Sequence, residues 1–130
     1  MHLADPTRLQ ASVNADPEFR LAARYWNATL SFESPSRALR VEIADGRIAT
    51  CGESAAGRPA TITVVASDDG WAQFLAPMPR PFYQDLLGGC VQHHGFQVAG
   101  DILSLSAYYQ ASTRLFAVMR ALRAASEEAS

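Results

Sequence analysis

Residues 96–123 read FQVAGDILSLSAYYQASTRLFAVMRALR, and in this stretch a short alternating segment runs directly into a long apolar helical pattern. Phe96 and Val98 fall on one face of an extended chain, because side chains alternate with a period of two. Gly100 permits a tight turn, and Asp101 is a favoured helix N-cap. The junction therefore predicts a strand that leads into a terminal helix.

The apolar stripe of this helix is wide. Its members recur at helical spacing, and they are Ile102, Leu105, Tyr109, Phe116, Met119 and Leu122, with Tyr108, Leu115 and Val118 beside them. We expect one side of so wide an arc to pack on a sheet. Three alternatives stay open for the remainder: a cavity, a partner, or a deeply buried core helix.

The composition excludes several classes of protein. The chain has 130 residues, of which 48% are hydrophobic and 18% are charged, as is typical of one globular domain. The net charge is −2 and no basic cluster occurs, so we expect no nucleic-acid partner. All 11 basic residues are arginine, which excludes a Schiff-base lysine and a P-loop lysine.

The sequence indicates neither secretion nor a membrane span. Its first residues, MHLADPTRLQ, have no basic segment followed by an apolar one. No segment approaches the roughly 18 uninterrupted apolar residues that a membrane span needs. Cys51 and Cys90 are far apart in the chain, which fits free thiols in a reducing compartment. We therefore predict a cytoplasmic protein.

Local patterns predict the elements that come before residue 96. Two Asp-Pro pairs, Asp5-Pro6 and Asp16-Pro17, predict helix starts, because Asp is a good N-cap and Pro fits the first turn. Alternation then predicts four strands, at residues 28–33, 39–43, 48–51 and 61–66. Asp45-Gly46 predicts a hairpin, and we expect hairpin-type connections among all four strands.

Two short helices are predicted before the last strand. The first spans Trp71–Ala76, and the second spans Phe82–Leu87 and ends at Gly88-Gly89. We expect a single domain with N-terminal helices at 5–26, a core at 27–123 and a frayed tail at 124–130. The element order predicts an α+β fold, in which a mainly antiparallel sheet of five strands carries helices on one face.

Three motifs follow one another in a recognisable order. They are Asp45-Gly46 in the hairpin, the run from Ile62 through Val64, Ala66, Ser67 and Asp68 to Trp71, and Gly95–Asp101 before the last helix. In this order, over roughly residues 25–122, the chain resembles the sterol carrier protein 2 (SCP2)-like domain. Members of that family have a five-stranded sheet covered by helices, with an apolar tunnel that accepts sterols, fatty acyl chains and other lipids.

The resemblance implies a function and a set of ligand-binding residues. It implies that the chain binds a hydrophobic small molecule without a cofactor, as a carrier or as a substrate-presenting subunit. The side chains that would line the tunnel are Phe32, Val41, Ile43, Ile62, Val64, Trp71, Phe74, Phe82, Phe96, Tyr108 and Phe116. The residues by themselves leave a filled core as an equal alternative, because any domain of this size packs such side chains inside.

A small acid–base enzyme is one alternative function. His93 and His94, with Asp85 and Cys90 close in sequence, are candidate catalytic residues for a hydrophobic substrate. Adjacent histidines do not share one face of a helix or a strand, and no second set of ligands is spaced for zinc. We therefore predict no metal site, and exposed loop histidines are the ordinary interpretation of this pair.

An accessory subunit of an enzyme is the other alternative. In that case the wide arc of the terminal helix would contact a second copy of the chain or another protein. Arg114, Arg120 and Arg123 lie among the apolar residues of the helix, and arginine is enriched at protein interfaces. The sequence thus predicts a homodimer or a protein partner through this helix.

Overall fold

A computed structural model describes residues 3–129 of the chain, with side chains described up to residue 126. The elements in chain order are α1 (Pro6–Ala15), α2 (Pro17–Ala22), β1 (Ala28–Glu33), β2 (Ala38–Ala44), β3 (Arg47–Ser54), β4 (Ile62–Val65), α3 (Asp68–Phe74), a π-helical turn (Leu86–Cys90), α4 (Val91–His93), β5 (Gln97–Gly100), α5 (Ile102–Ala107) and α6 (Tyr109–Ala129).

The sheet has five strands in the order β3-β2-β1-β4-β5. Strands β1 and β4 pair in parallel, whereas β1–β2, β2–β3 and β4–β5 pair antiparallel. The prediction of an α+β fold with a mainly antiparallel five-stranded sheet is therefore confirmed. Among the helices of residues 3–129, none is long and apolar enough to cross a membrane.

The N-terminal helices begin where the two Asp-Pro pairs predict. The Asp5 side chain accepts a hydrogen bond from the Thr7 N–H, and Asp16 accepts one from the Glu18 N–H. Helix α1 then lies along the outer edge of β3. The Asn14 side chain accepts from the Ile48 N–H at 2.8 Å and donates to the Ile48 carbonyl at 3.0 Å. These two bonds satisfy backbone groups that an edge strand otherwise leaves unpaired.

The connection between β3 and β4 is a crossover, so the predicted hairpin-type connection is wrong there. Both strands run parallel to β1, and residues 55–61 must return from the end of β3 to the start of β4. Extended residues reach about 3.3–3.6 Å each, which is enough to pass the intervening strands. On the sheet face away from the helices, the Gly57 N–H in this crossover donates to the Glu33 carboxylate at 3.2 Å.

The helical region after the proline-rich segment differs from the prediction of a helix at Phe82–Leu87. It begins at Leu86 and continues through both glycines into α4. Asp85 starts it, because its carboxylate accepts from the Gly88 N–H at 2.6 Å. A Cβ atom on Gly89 would lie 2.1 Å from the Phe82 carbonyl oxygen. The glycine pair therefore permits a close backbone approach and does not end the helix.

The terminal helix is interrupted at Tyr108, which separates α5 from α6 and has φ −116° and ψ 30°. The Tyr108 ring stacks on Trp26 with a centroid distance of 5.1 Å, and the Trp26 indole N–H donates to Ser104 Oγ at 3.0 Å. A contact with the N-terminal region thus accompanies the break, which the apolar spacing did not predict. Helix α6 runs to Ala129 through the segment where a frayed tail was expected, and residue 130 lies outside the described residues.

The width of the α6 stripe is explained within the chain. Helix α6 packs against α1 and α2 as well as over the sheet, and Leu115 and Met119 are fully buried. Arg114 is paired with Asp16 at the start of α2, with 2.6 Å between Arg114 Nε and Asp16 Oδ2. On α6, the arc that suggested a dimer contact therefore packs against the protein's own N-terminal helices, whereas Ile102 on α5 is 44% exposed.

Candidate functional site: an aromatic layer between sheet and helices

The inner face of the sheet is apolar where it meets the helices. On β1, Leu30 and Phe32 point to this face, and on the neighbouring strand β4, Ile62 and Val64 do so. All four side chains are buried. They alternate with residues of the outer face because successive strand side chains point to opposite sides. The inner face thus forms an apolar floor beneath the helices.

Phe32 of this floor and four rings above it form what we call the aromatic cluster: Phe32, Trp71, Phe74, Phe96 and Phe116. They come from β1, from α3, from the residue before β5, and from α6. Neighbouring centroids are 4.8 to 6.0 Å apart, mostly in edge-to-face contact, which is the favoured geometry for aromatic pairs. The Trp71 indole N–H donates to the Glu33 carbonyl at 2.9 Å, so its one polar group is satisfied.

One cation borders the aromatic cluster. The Arg120 guanidinium carbon lies 4.6 Å from the centroid of the Phe74 ring, and Arg120 Nε donates to the Phe74 carbonyl at 2.7 Å. The Nη2 atom of the same side chain is buried and has no hydrogen-bond partner. Burial lowers the pKa of Arg120. Cys90 is close enough to interact electrostatically with Arg120, and burial raises the pKa of its thiol to about 11.

The two histidines lie at the edge of the domain, stacked on rings of the preceding segment. His93 stacks on Phe82 with a centroid distance of 4.0 Å, and His94 stacks on Tyr83 at 3.5 Å. His94 Nε2 is 3.1 Å from the Pro81 carbonyl oxygen and therefore donates to it. Both histidines therefore contact the connector between α3 and the π-helical turn.

The Asp85 carboxylate accepts a hydrogen bond from the Tyr109 hydroxyl, which in turn accepts from the Leu87 N–H at 2.9 Å. Burial, and secondly the bond to Asp85, raise the pKa of Tyr109. Among the described residues, no hydrogen bond joins Asp85 to His93 or His94. The carboxylate that could orient a histidine base is thus engaged elsewhere. No group of three His, Cys, Asp or Glu side chains in this part of the chain is arranged to hold a metal ion.

The structure brings most of the predicted ligand-binding residues together. Seven of them are buried in the floor or in the aromatic cluster, namely Phe32, Ile62, Val64, Trp71, Phe74, Phe96 and Phe116, and Ile43 and Val41 are buried in the same core. Two are placed elsewhere. Phe82 is 53% exposed, and Tyr108 is half-buried against Trp26. The sequence predicts Arg120 only as an interface residue, although its spacing of four from Phe116 places both on one face of α6.

A separate cavity of about 210 Å³ opens on the outer face of the sheet. Its lining is largely polar and includes Arg40, Glu42 and Arg58, with the Arg40 and Glu42 side chains 3.6 Å apart. Such a lining does not suit a lipid chain, because burying charged groups against hydrocarbon is unfavourable. The aromatic cluster and the apolar floor beneath it, together the aromatic layer, are therefore the better candidate site for a hydrophobic ligand.

No family model matches the sequence, and no curated protein matches it. Solved structures do. The crystal structure of sterol carrier protein 2 is similar with a TM-score of 0.72 and 19% identity, over 91% of this chain and 97% of that one. The solution structure of a conserved Thermus thermophilus protein, described as possibly a sterol carrier protein, has a TM-score of 0.72 and 20% identity, over 94% and 90%.

A third similar structure is the UbiJ-SCP2 ubiquinone synthesis protein, with a TM-score of 0.58 and 18% identity, over 88% of this chain and 86% of that one. At these identities the likeness establishes the fold and not the ligand. It extends over nearly the whole of both chains in the first two comparisons. The chain therefore has the SCP2-like fold that the order of its motifs suggested.

Proposed function

We propose that this protein binds a hydrophobic small molecule, of the lipid, sterol or fatty-acyl type, between its sheet and its helices. It would act as a carrier or as a subunit that presents the ligand to an enzyme. The observation that carries the proposal is the aromatic cluster on an apolar strand floor. The names of the similar structures, two of which refer to sterol carrier proteins, support the same function.

Ligand binding in this layer would be driven by removal of hydrocarbon from water, which contributes about 0.8 kcal/mol per buried CH₂. The rings of the aromatic cluster already contact one another, so a ligand would have to displace some of them. Loss of ring contacts would oppose binding, so we expect a ligand with a long chain to bind better than one with a short chain. A ligand of ten or more carbons offers roughly enough apolar surface to offset this loss.

The connector at residues 76–85, none of which is fully buried, is the candidate entrance. It contains three prolines, which lack a backbone N–H, and its Met78 side chain is 89% exposed. Its backbone bond from the Tyr83 N–H to the Arg80 carbonyl is local, and its contacts with His93 and His94 lie at the edge of the domain. Segments with few buried contacts open at low free energy. Displacing this connector would expose the Phe74 side of the aromatic cluster.

The enzyme alternative has less support from the geometry, because Asp85 is bonded to Tyr109 and not to a histidine. The accessory-subunit alternative would require an apolar surface for the enzyme. Exposed Leu21, Tyr25 and Leu103 are available for such a contact, whereas the α6 stripe is covered. Ligand binding therefore has the better support. Binding of lipid at the surface, and not between sheet and helices, would favour the accessory role.

Photo-crosslinking tests the proposal directly. Delipidated protein is mixed with a fatty acid that carries a diazirine in mid-chain, irradiated, digested and examined by tandem mass spectrometry. We expect adducts on aromatic-cluster residues such as Phe74, Phe96 and Phe116, and we expect unlabelled fatty acid to abolish them. Adducts confined to exposed residues such as Leu103, or no uptake by folded protein at micromolar concentrations, would contradict binding in the layer.

A matched pair of variants sharpens the test. Phe116→Ala removes a buried ring of the aromatic cluster, whereas Leu103→Ala truncates a side chain that is 83% exposed. We expect altered uptake only for Phe116→Ala. Because truncating a core Phe costs about 3–5 kcal/mol of stability, binding is to be measured at a temperature where circular dichroism shows both variants folded.

A further inference from the structure

Arg120 is a charged residue where a hydrophobic carrier would be expected to have none. Its guanidinium packs on the Phe74 ring of the aromatic cluster, and Nε caps the end of α3 through the Phe74 carbonyl. An arginine at a helix C-terminus is favourable, because it satisfies a free carbonyl and complements the helix dipole. This structural role accounts for one nitrogen of the guanidinium.

The structural role leaves Arg120 Nη2 unexplained. That atom is buried, and it has no hydrogen-bond partner within the described part of the chain. No Asp or Glu of that part lies within ion-pairing distance of Arg120. The neighbouring Cys90 is no counter-ion at neutral pH, because burial raises the pKa of its thiol to about 11. A buried N–H of a charged group without a partner is unfavourable and is rarely left so in native proteins.

We infer that Arg120 binds the carboxylate of a long-chain fatty acid whose hydrocarbon chain lies along the aromatic cluster. This inference rests on the proposed function and names the ligand class for the same layer. The carboxylate would accept a hydrogen bond from the buried Nη2 atom and would pair with the charge of this half-buried side chain. The chain would extend from Phe74, directly beneath the guanidinium, toward Phe116 and Phe96.

The chemistry favours a carboxylate over a neutral head group. A sterol or alcohol hydroxyl can accept a hydrogen bond from Nη2, but it leaves the positive charge of the half-buried guanidinium without a counter-ion. Hydrogen bonds between ionised partners are stronger than neutral ones, and the difference grows as water is excluded. A ligand with the same chain and an uncharged head group should therefore bind more weakly.

The test compares two ligands that share one tail. Dissociation constants for dodecanoic acid and 1-dodecanol are measured at pH 7.5 by displacement of a fluorescent fatty acid. For the wild type we expect a preference for the acid of about 10- to 100-fold. We define the acid-to-alcohol ratio as the affinity for dodecanoic acid divided by the affinity for dodecanol. In Arg120→Gln this ratio should fall to near one, with the affinity for dodecanol little changed. Arg20→Gln, an exposed position on α2, removes the same charge and should keep the wild-type ratio.

The ratio separates ligand pairing from a purely structural role, because loosening the layer would weaken both ligands together. Arg120→Lys retains the charge and should keep part of the acid preference, which provides a second variant if Arg120→Gln folds poorly. As an independent readout, the carboxyl ¹³C resonance of bound [1-¹³C]dodecanoic acid should titrate at a lower pH in the wild type than in Arg120→Gln.

The outcomes are distinguishable. An acid-to-alcohol ratio that is the same in wild type and Arg120→Gln would overturn the inference, while binding of both ligands would leave the proposed function standing. Failure of the folded wild type to bind either ligand would overturn this role of Arg120, whereas the proposed function would fall only if a fluorescent sterol were not bound either. A ratio that falls only in the Arg120 variants would support both.

Discussion

Replacing Asp16 should separate two interactions that one carboxylate makes. Asp16 Oδ1 accepts from the Glu18 N–H at 3.3 Å and so starts α2. Asp16 also accepts from Arg114 Nε at 2.6 Å and from Arg114 Nη2 at 3.4 Å, which joins α2 to α6 across 98 residues of chain. Asp16→Asn keeps a good N-cap and removes the charge, whereas Asp16→Ala removes both.

The expected magnitudes follow from the exposure of the pair. The Asp16 side chain is 9% exposed and that of Arg114 is 39% exposed. Fully exposed ion pairs contribute about 0.2–1 kcal/mol, and hydrogen bonds to charged groups about 1.5–3 kcal/mol. With solvent screening on the Arg114 side, we expect Asp16→Asn to lower the free energy of unfolding by about 1 kcal/mol. Loss of the cap in Asp16→Ala should add about 1 kcal/mol.

The effect should depend on pH with a defined sign. Hydrogen bonding to Arg114 lowers the pKa of Asp16 in the folded protein. A depressed folded-state pKa contributes stability that is fully present above the unfolded value of about 3.9. This stability is lost as the pH falls through the lower folded-state pKa. The difference between wild type and Asp16→Asn should therefore be constant from about pH 5 upward and should shrink below about pH 4.

Urea denaturation followed by tryptophan fluorescence measures these free energies. A double-mutant cycle with Arg114→Gln isolates the pair, because the coupling energy excludes the separate effects of each substitution. We expect coupling at pH 7 and much less at pH 3. A coupling energy indistinguishable from zero at pH 7 would refute the reasoning, and so would a coupling that did not decrease in acid.

Three further predictions concern the backbone, the core and a thiol. Gly100→Ala should lower the free energy of unfolding by more than about 3 kcal/mol, because φ is +106° and a Cβ atom would lie 2.1 Å from the Thr61 carbonyl oxygen. Gly95 has φ +72° but lies in open space, so Gly95→Ala should cost only about 1 kcal/mol when both are measured by urea denaturation. Trp71→Phe should lower the free energy of unfolding by about 1–3 kcal/mol, since the Glu33 carbonyl loses one of its two donors, keeping only the Ala66 N–H, and part of a fully buried side chain is removed; an unchanged urea midpoint would contradict this. In Cys51→Ser protein, which lacks the partly exposed second thiol, the Cys90 thiol, with its pKa raised to about 11 by burial, should resist Ellman's reagent at pH 8 and react once urea unfolds the chain; rapid native reaction would show that it is not enclosed.

Local chemistry made much of the fold predictable. Asp5 and Asp16 cap their helices through bonds to residues two positions away, so neighbouring sequence contains the whole interaction. The Asp45-Gly46 turn is equally local, and both residues have positive φ as a tight hairpin requires. Alternation located the strands because one face of the sheet is buried.

The errors arose where distant residues decide the local structure. The direction of the chain after β3 depends on β4 pairing with β1, and no residue in the 55–61 segment shows this. Gly88-Gly89 was interpreted as a helix stop, but the glycines make room for the Phe82 backbone. In the site, the aromatic residues were predictable by burial, whereas the environment of Arg120 depends on the end of α3 meeting α6.

The crossover has a consequence for the order in which the fold assembles. Strand β1 pairs with β2 across a short loop, but it pairs with β4 only through residues far along the chain, Leu30 with Ile62. Closing longer loops has a larger entropic cost, so β1–β2–β3 should form before β4, α3 and β5 dock. Amide hydrogen exchange should then show β4 and β5 exchanging through a partial opening, at lower free energy than β1 and β2.

The elements expected to dock second, β4, α3 and β5 with the residue before it, supply Trp71, Phe74 and Phe96, whereas Phe32 belongs to the first unit, β1–β2–β3. The division between the two units thus passes through the aromatic cluster. Detachment of the second unit would expose the strand floor while the first three strands stayed paired. The same topology that delays completion of the sheet would let the interior open to a lipid chain without global unfolding.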